Sequence, residues 1–290
     1  MTIQASFPRP AAIVLGCGEV GSAVAVALHQ AGLSVALVDE ADPSWHRRGM
    51  AFTNAWYVGN SELENEGACF CASLKSMPSI LTRRMIAATT WSWPGVAAAL
   101  EPVLLVDARG RKRRGSDILR GRIPLTIGIG SGFVDGENVD VAIENPAEMP
   151  NGRGGEGAGC AHPPGSGHDA NAGRASCFAI EAPRHGRFMT ERRIGDIVRA
   201  GQIVGGLGNE PVAAPIDGVL LGLAARGARV ESGDTLVEVD PEGMPHRCYG
   251  IAAGPRRLAA SVLSAFAVRV DRPRASPLSV DAMVGTSVAR

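Results

Sequence analysis

Residues 11–40 read AAIVLGCGEVGSAVAVALHQAGLSVALVDE, and their pattern predicts the fold of the first part of the chain. A short apolar run, residues 11–15, leads into a glycine-rich turn, after which small apolar residues recur at helical spacing up to Gly32. A second apolar run then ends at Asp39. The order strand, glycine turn, helix, strand over about 30 residues predicts a βαβ unit of the Rossmann type.

The glycines of this turn, Gly16, Gly18 and Gly21, have the spacing of a dinucleotide-binding loop. The first permits a tight turn, the second lets the backbone approach a pyrophosphate, and the third lets the helix pack closely on the strand. Asp39 is the predicted acceptor for a ribose hydroxyl, which favours NAD over NADP. Because Glu19 places a negative charge in the loop, the alternative is a Rossmann-like fold that binds no nucleotide.

A basic segment, His46-Arg47-Arg48, follows the second predicted strand. An arginine that faces the cleft would bind a phosphate or carboxylate through two hydrogen bonds. Arg47 and Arg48 are therefore predicted cofactor-binding residues, and the alternative is a surface turn. His46 is the one candidate proton donor near the cleft. A second basic run, residues 109–114, is predicted to be a solvated turn.

Three later apolar runs predict further strands of an α/β sheet: Pro102–Ala108, Leu125–Ile129 and Val139–Glu144. Composition then changes abruptly to glycine and proline, with almost no large apolar side chain to support a core. The chain is predicted to divide into a Rossmann-like nucleotide-binding domain (1–145), a flexible linker or insertion (146–177), an all-β module (178–245), a helical segment (246–270) and a disordered tail (271–290).

The β module contains an internal repeat. Residues 182–186, APRHG, recur in looser form as residues 214–218, APIDG, at an offset of 32 (214 − 182 = 32). A unit of this length with alternating apolar residues is a set of short strands that cannot bury an apolar face alone. We therefore expect the two copies to pack on each other.

Charge and composition exclude several classes of function. Lys plus Arg total 29 and Asp plus Glu total 29, so no global field favours nucleic acid. The sequence shows neither a secretory signal nor a long apolar span, which predicts a cytoplasmic protein without membrane contact. Six cysteines lack CxxC spacing, and the irregular set Cys160, His162, His168 and Cys177 predicts no metal site.

Five motifs follow one another along the chain: Gly16–Gly21, Arg47–Phe52, Val103–Arg109, Leu125–Phe133 and Val239–Pro241. In order and spacing they resemble the YqeB-type accessory family of selenium-dependent molybdenum hydroxylase systems. The resemblance covers nearly the whole chain apart from the linker and the tail. It implies an accessory or maturation role, with a nucleotide or molybdenum cofactor as ligand and a molybdenum hydroxylase or another maturation factor as partner. The chain departs from the family at Asn145-Pro146, where the family carries Arg-Gly-His.

Residues 194–239 resemble a second family, the biotinyl/lipoyl-type barrel-sandwich module. Carrier versions attach their cofactor to a lysine on the hairpin between the two halves. Here that hairpin is predicted at residues 208–211, GNEP, and the lysines of the whole chain are Lys75 and Lys112. We therefore expect no biotin or lipoate attachment, and a structural or docking role for the module.

Two other functions stay open. One is an NAD-dependent oxidoreductase that acts on a small metabolite, and the other is a non-catalytic scaffold that uses the β module for protein contacts. The sequence contains neither a Gly-x-Ser-x-Gly elbow nor a His-Glu-x-x-His helix, so catalytic residues are not identified.

Overall fold

A computed structural model describes residues 9–110, 118–146 and 177–270. Most of the predicted linker, the whole predicted tail and most of the second basic run lie outside these residues. The predicted fold class, a Rossmann-like sheet domain followed by an all-β module, is confirmed.

The first domain is built on an eight-stranded sheet with the order β3-β4-β5-β2-β1-β6-β7-β8. Its strands are β1 Ala11–Leu15, β2 Ser34–Val38, β3 Asn60–Leu63, β4 Glu66–Phe70, β5 Ile86–Thr89, β6 Leu104–Asp107, β7 Thr126–Ile129 and β8 Val141–Ile143. All neighbours pair in parallel except the β3–β4 hairpin. The three runs predicted after residue 100 thus form β6, β7 and β8. Because β2 and β6 flank β1, the order of strands reverses at β1, where α/β sheets bind their ligands.

Helices cover both faces of this sheet. They are α1 Glu19–Gln30, α2 Asn54–Val58, α3 Met77–Thr82, α4 Trp93–Leu100 and α5 Ala253–Val270, with short 3₁₀ turns at Arg48–Met50, Leu74–Ser76 and Pro245–Cys248. Ala12 and Val14 of β1 pack with α1 and α5 on one face, whereas Ile13 and Leu15 pack with α3 and α4 on the other. Burial on both faces explains why the strands are continuously apolar.

The β module consists of two four-stranded antiparallel sheets, ordered β13-β12-β10-β15 and β11-β14-β16-β9. The strands are β9 Phe178–Glu181, β10 Gly186–Met189, β11 Ile197–Val198, β12 Ile203–Leu207, β13 Glu210–Ala213, β14 Gly218–Leu223, β15 Arg229–Val230 and β16 Thr235–Asp240.

The repeat predicted from sequence organises this module. Each strand of the second copy begins 32 residues after its counterpart, for example β14 after β10 (218 − 186 = 32). Each copy contributes two strands to each sheet, so neither copy forms a sheet alone. Phe188 and Leu207 of the first copy share one core with Leu220 and Leu236 of the second. The expectation that the copies pack on each other is confirmed.

After the β module the chain returns to the first domain. Helix α5 packs against α1, with Leu258, Ala259 and Val262 buried in the same core. Among the described residues, no helix combines the length and apolar character needed to cross a bilayer.

Candidate functional site: the glycine loop and the domain interface

The glycine loop connects β1 to α1, and two of its glycines are fixed by steric contact. Gly16 has φ +99°, a left-handed conformation that side chains rarely adopt. A Cβ on Gly21 would overlap the carbonyl oxygen of Gly16, so only glycine permits this approach of helix to strand. Gly18 stands at the N-cap of α1, where the first backbone N–H groups of the helix lie. The predicted strand, turn and helix are all present.

Asp39 lies at the carboxyl end of β2, beside this loop. Its carboxylate accepts hydrogen bonds from the backbone N–H of Cys17 at 2.7 Å and from that of Glu40 at 2.8 Å. The side chain is buried, so it fixes the loop to the end of the neighbouring strand. Its role as a ribose acceptor stays a prediction.

The open side of Gly18 faces an aromatic ring. Three atoms of the Trp45 indole lie 3.2–3.5 Å from the position that a Cβ on Gly18 would occupy. The indole Nε1 is buried and has no hydrogen-bond partner. The surface that the absent side chain leaves for a pyrophosphate is therefore covered by Trp45 in this conformation.

Arg47 and Arg48 lie at the interface between the two domains. Arg47 is 8% exposed, which makes the surface-turn alternative wrong for this residue. Its Nε and Nη2 donate to the two carboxylate oxygens of Glu238 on β16, at 2.6 and 2.5 Å. Arg48 donates to the backbone oxygen of Leu223 at 2.8 Å and to Asn54. The predicted cofactor-binding role of both arginines is not tested by these contacts.

A second carboxylate lies near the same guanidinium. Glu19, in the first turn of α1, places its Oε1 at 3.6 Å from Arg47 Nη1, and this oxygen has no hydrogen-bond partner. Burial raises the pKa of Glu19 by more than the charge of Arg47 lowers it. The negative charge that the sequence placed in the loop is thus buried and only partly compensated.

The pKa of Glu238 shifts in the opposite direction from that of Glu19. Burial would raise its pKa, but the hydrogen bonds and charges of Arg47 and His46 outweigh burial and lower the pKa to about 2. His46 Nε2 lies 3.0 Å from a Glu238 oxygen. The candidate proton donor therefore contacts the β module.

The end of β6 adds a further arginine to the edge of the loop. Arg109 binds Asp107 through Nε and Nη2, at 3.0 and 2.6 Å, and the Asp107 carboxylate is buried. The backbone of Arg109 lies 3.1 Å from the position of a Cβ on Gly16. The side chain of Arg109, the first residue of the basic run predicted to be a solvated turn, is 21% exposed. Residues 111–114 lie outside the described residues.

Cysteines do not form a site in the described ranges. Cys17, in the loop, is fully buried, and the described cysteines are thiols outside any disulfide. Within 9–110, 118–146 and 177–270, no three His, Cys, Asp or Glu side chains are placed to hold a metal ion. Cys160, His162 and His168 fall outside these ranges.

Sequence reasoning missed the two residues that define the surroundings of the loop. Trp45 lies in the irregular segment between β2 and the 3₁₀ turn Arg48–Met50, so nothing in the sequence places it over Gly18. Glu238 carries a weak signal, since it is a charged residue within the apolar strand β16. Its partner Arg47 is 191 residues away in the sequence.

Comparison with known proteins gives one informative similarity. The chain matches no protein-family model. It is similar to the protein described as "Uncharacterized protein YqeB" from Escherichia coli (strain K12), with 26% identity over 255 residues. The match covers 88% of this chain and 47% of YqeB, so the chain spans about half the length of this relative. The similarity supports a relationship to YqeB over most of the chain.

Proposed function

We propose that this chain binds a phosphate-bearing ligand at the glycine loop and acts as an accessory protein of a molybdenum hydroxylase system. The candidate ligands are a nucleotide, with NAD(P) first, and the molybdenum cofactor. One observation carries the proposal. The loop containing Gly16, Gly18 and Gly21 joins β1 to α1 where the strand order of the sheet reverses. At position 21 any side chain would overlap the Gly16 carbonyl oxygen, so only glycine fits there.

Two features around the loop favour such a ligand. The free N–H groups and the dipole of α1 favour an anion at its N-terminus. Asp39 lies at the end of the adjacent strand, at the place where dinucleotide-binding folds hold a ribose. Binding requires the Trp45 indole to leave Gly18, because ring and pyrophosphate would share one volume.

The accessory role rests on the resemblance to the YqeB-type family, and the similarity to YqeB supports the relationship alone. The position of His46 is consistent with a role other than catalysis. This side chain contacts Glu238 of the β module and is only 15% exposed. A proton donor to a ligand in the cleft would need to face that ligand.

Calorimetric titration tests the ligand. Purified protein is titrated with NAD(H), NADP(H), a nucleoside triphosphate and isolated molybdenum cofactor, and Gly18→Asp is compared with Gly95→Asp. Gly95 lies near the start of α4, where an added Cβ makes ordinary contact at 3.5 Å, so it controls for the substitution itself. We expect one ligand class to bind wild type and Gly95→Asp but not Gly18→Asp. Absence of binding to all four ligands would contradict the proposal and favour the scaffold function.

A second candidate is an NAD-dependent oxidoreductase of a small metabolite, which the position of Asp39 at the end of β2 favours. Absorbance of NADH at saturating protein distinguishes the two. Oxidation of NADH with a panel of small carbonyl compounds would establish the enzyme. Binding of NADH without oxidation would support the accessory role.

A further inference from the structure

The segment of residues 45–48 contacts both the glycine loop and the β module. At its start, Trp45 lies against Gly18. At its end, Arg47 holds Glu238 with two hydrogen bonds, and Arg48 binds the backbone oxygen of Leu223. These four consecutive residues therefore connect the loop to β14 and β16 of the other domain.

Several close contacts attach the 45–48 segment to the β module. The Leu223 N–H donates to the His46 backbone oxygen at 2.8 Å, while His46 Nε2 lies 3.0 Å from Glu238. A Cβ on Gly222 would overlap the His46 ring, so β14 also approaches the segment closely. Displacement of the segment would break these contacts together, because all of them are made by the adjacent residues His46, Arg47 and Arg48.

The attachment to the loop is weaker and incompletely satisfied. Trp45 Nε1 and Glu19 Oε1 are buried without hydrogen-bond partners, and both lie beside the N-terminus of α1. Each buried unpaired polar atom costs about 1–3 kcal/mol. An acceptor oxygen of a ligand can pair with the Trp45 Nε1–H but not with the Glu19 carboxylate, which is itself an acceptor, so the indole is the group of the segment that gains a partner when a ligand enters at the loop.

We propose that the 45–48 segment couples the glycine loop to the β module, so that a pyrophosphate-bearing ligand on Gly18 displaces Trp45 and loosens β14 and β16 from the first domain. The displacement of Trp45 by a ligand rests on the proposed function. The coupling between the loop and the β module is a property of the ligand-free chain. A phosphate at the start of α1 also offers Arg47 an anion on the side of Glu19, in competition with Glu238.

The coupling is tested first without ligand, by hydrogen–deuterium exchange of the full chain. In Glu238→Gln the module contact is weakened, and we expect the amides of residues 16–22 to exchange at least about 5-fold faster, the lower end of typical coupling. In Trp45→Ala the loop contact is removed, and we expect the Leu223 amide to exchange faster by a similar factor. Coupling is reciprocal, so both directions must respond.

Two matched variants control for the substitutions. Glu191→Gln removes a carboxylate from an exposed pair with Arg226 on the same module, and Trp91→Ala removes an exposed indole from the same sheet domain. Neither should alter exchange at residues 16–22 or at Leu223. If Glu238→Gln speeds exchange only within the module, or Trp45→Ala only within the loop, the coupling is overturned. Trp45→Ala leaves every charged pair intact. It therefore still tests the coupling if Glu238→Gln fails to fold.

Inorganic pyrophosphate then serves as the probe in the wild-type protein. We expect slower exchange at residues 16–22 together with faster exchange at Leu223. Slower exchange in the loop with no change at Leu223 overturns the coupling and supports the proposed binding site. No change at either place, with positive results from the two variants, supports the coupling and contradicts pyrophosphate binding.

Discussion

The Arg47 guanidinium faces two carboxylates, one at the module end of the segment and one at its loop end, and these differ in how well they are satisfied. At the module end, Glu238 accepts two hydrogen bonds from the guanidinium, and its pKa falls to about 2. At the loop end, Glu19 has only a 3.6 Å ion pair, and burial raises its pKa. The interface is therefore stabilised from the β-module side, while the incompletely compensated carboxylate of Glu19 remains beside the candidate ligand site.

Removing the Arg47 guanidinium, which contacts both carboxylates, is expected to change stability most. Arg47→Met leaves Glu238 and Glu19 buried without their cation, and we expect a loss of about 3–5 kcal/mol in the free energy of unfolding. Urea unfolding measures it. Arg226→Met, in an exposed pair with Glu191, should cost about 0.5 kcal/mol or less. Equal costs for the two variants would remove the distinction between the buried and the exposed pair.

The module end alone is tested by the pH dependence of Glu238→Gln. A pKa lowered from 4.5 to about 2 corresponds to roughly 3 kcal/mol of stability at neutral pH. This stability is fully present above pH 4.5 and is lost as the pH falls toward 2. The difference in unfolding free energy between wild type and Glu238→Gln should therefore be largest at pH 7 and shrink below pH 4.5. A difference that is constant with pH would show that Glu238 does not act through its charge.

The steric basis of the loop is tested by Gly21→Ala. Its Cβ would overlap the Gly16 carbonyl oxygen, so helix and strand must separate, at an expected cost of about 1–3 kcal/mol. Gly95→Ala, in a helix with room for a methyl group, should instead gain up to about 1 kcal/mol. Thermal unfolding of both variants measures the contrast, and a tolerated alanine at Gly21 would contradict the close contact.

The smallest effect is expected at the loop end, with the opposite sign. Because the pKa of Glu19 is raised, its ionisation costs stability as the pH rises above 4.5. Glu19→Gln should therefore raise the free energy of unfolding at pH 7, by about 1 kcal/mol or less. The gain should vanish below pH 4.5, where wild-type Glu19 is protonated as well. A loss at pH 7 would show that the ion pair with Arg47 outweighs burial.

Local patterns predicted much of the architecture because their causes are local. The glycine spacing around Gly16 predicts a tight turn before a helix, and the 32-residue repeat predicts two copies that pack on each other. Helix α5 was expected as a helix at residues 246–270, but its place against α1 was not, because contact between elements so distant in the chain leaves no local mark. The contact of Arg109, at the start of the second basic run, with the buried carboxylate of Asp107 was not predicted.

The sequence was sufficient to predict the Rossmann-like unit, the repeat in the β module and the identity of the candidate loop residues. It was sufficient because backbone sterics and hydrophobic periodicity act over a few residues. Tertiary structure alone decided that Trp45 covers Gly18 and that Arg47 binds Glu238 rather than solvent. The position of a buried charge depends on which distant partner compensates its desolvation, and that partner exists only after both domains have folded.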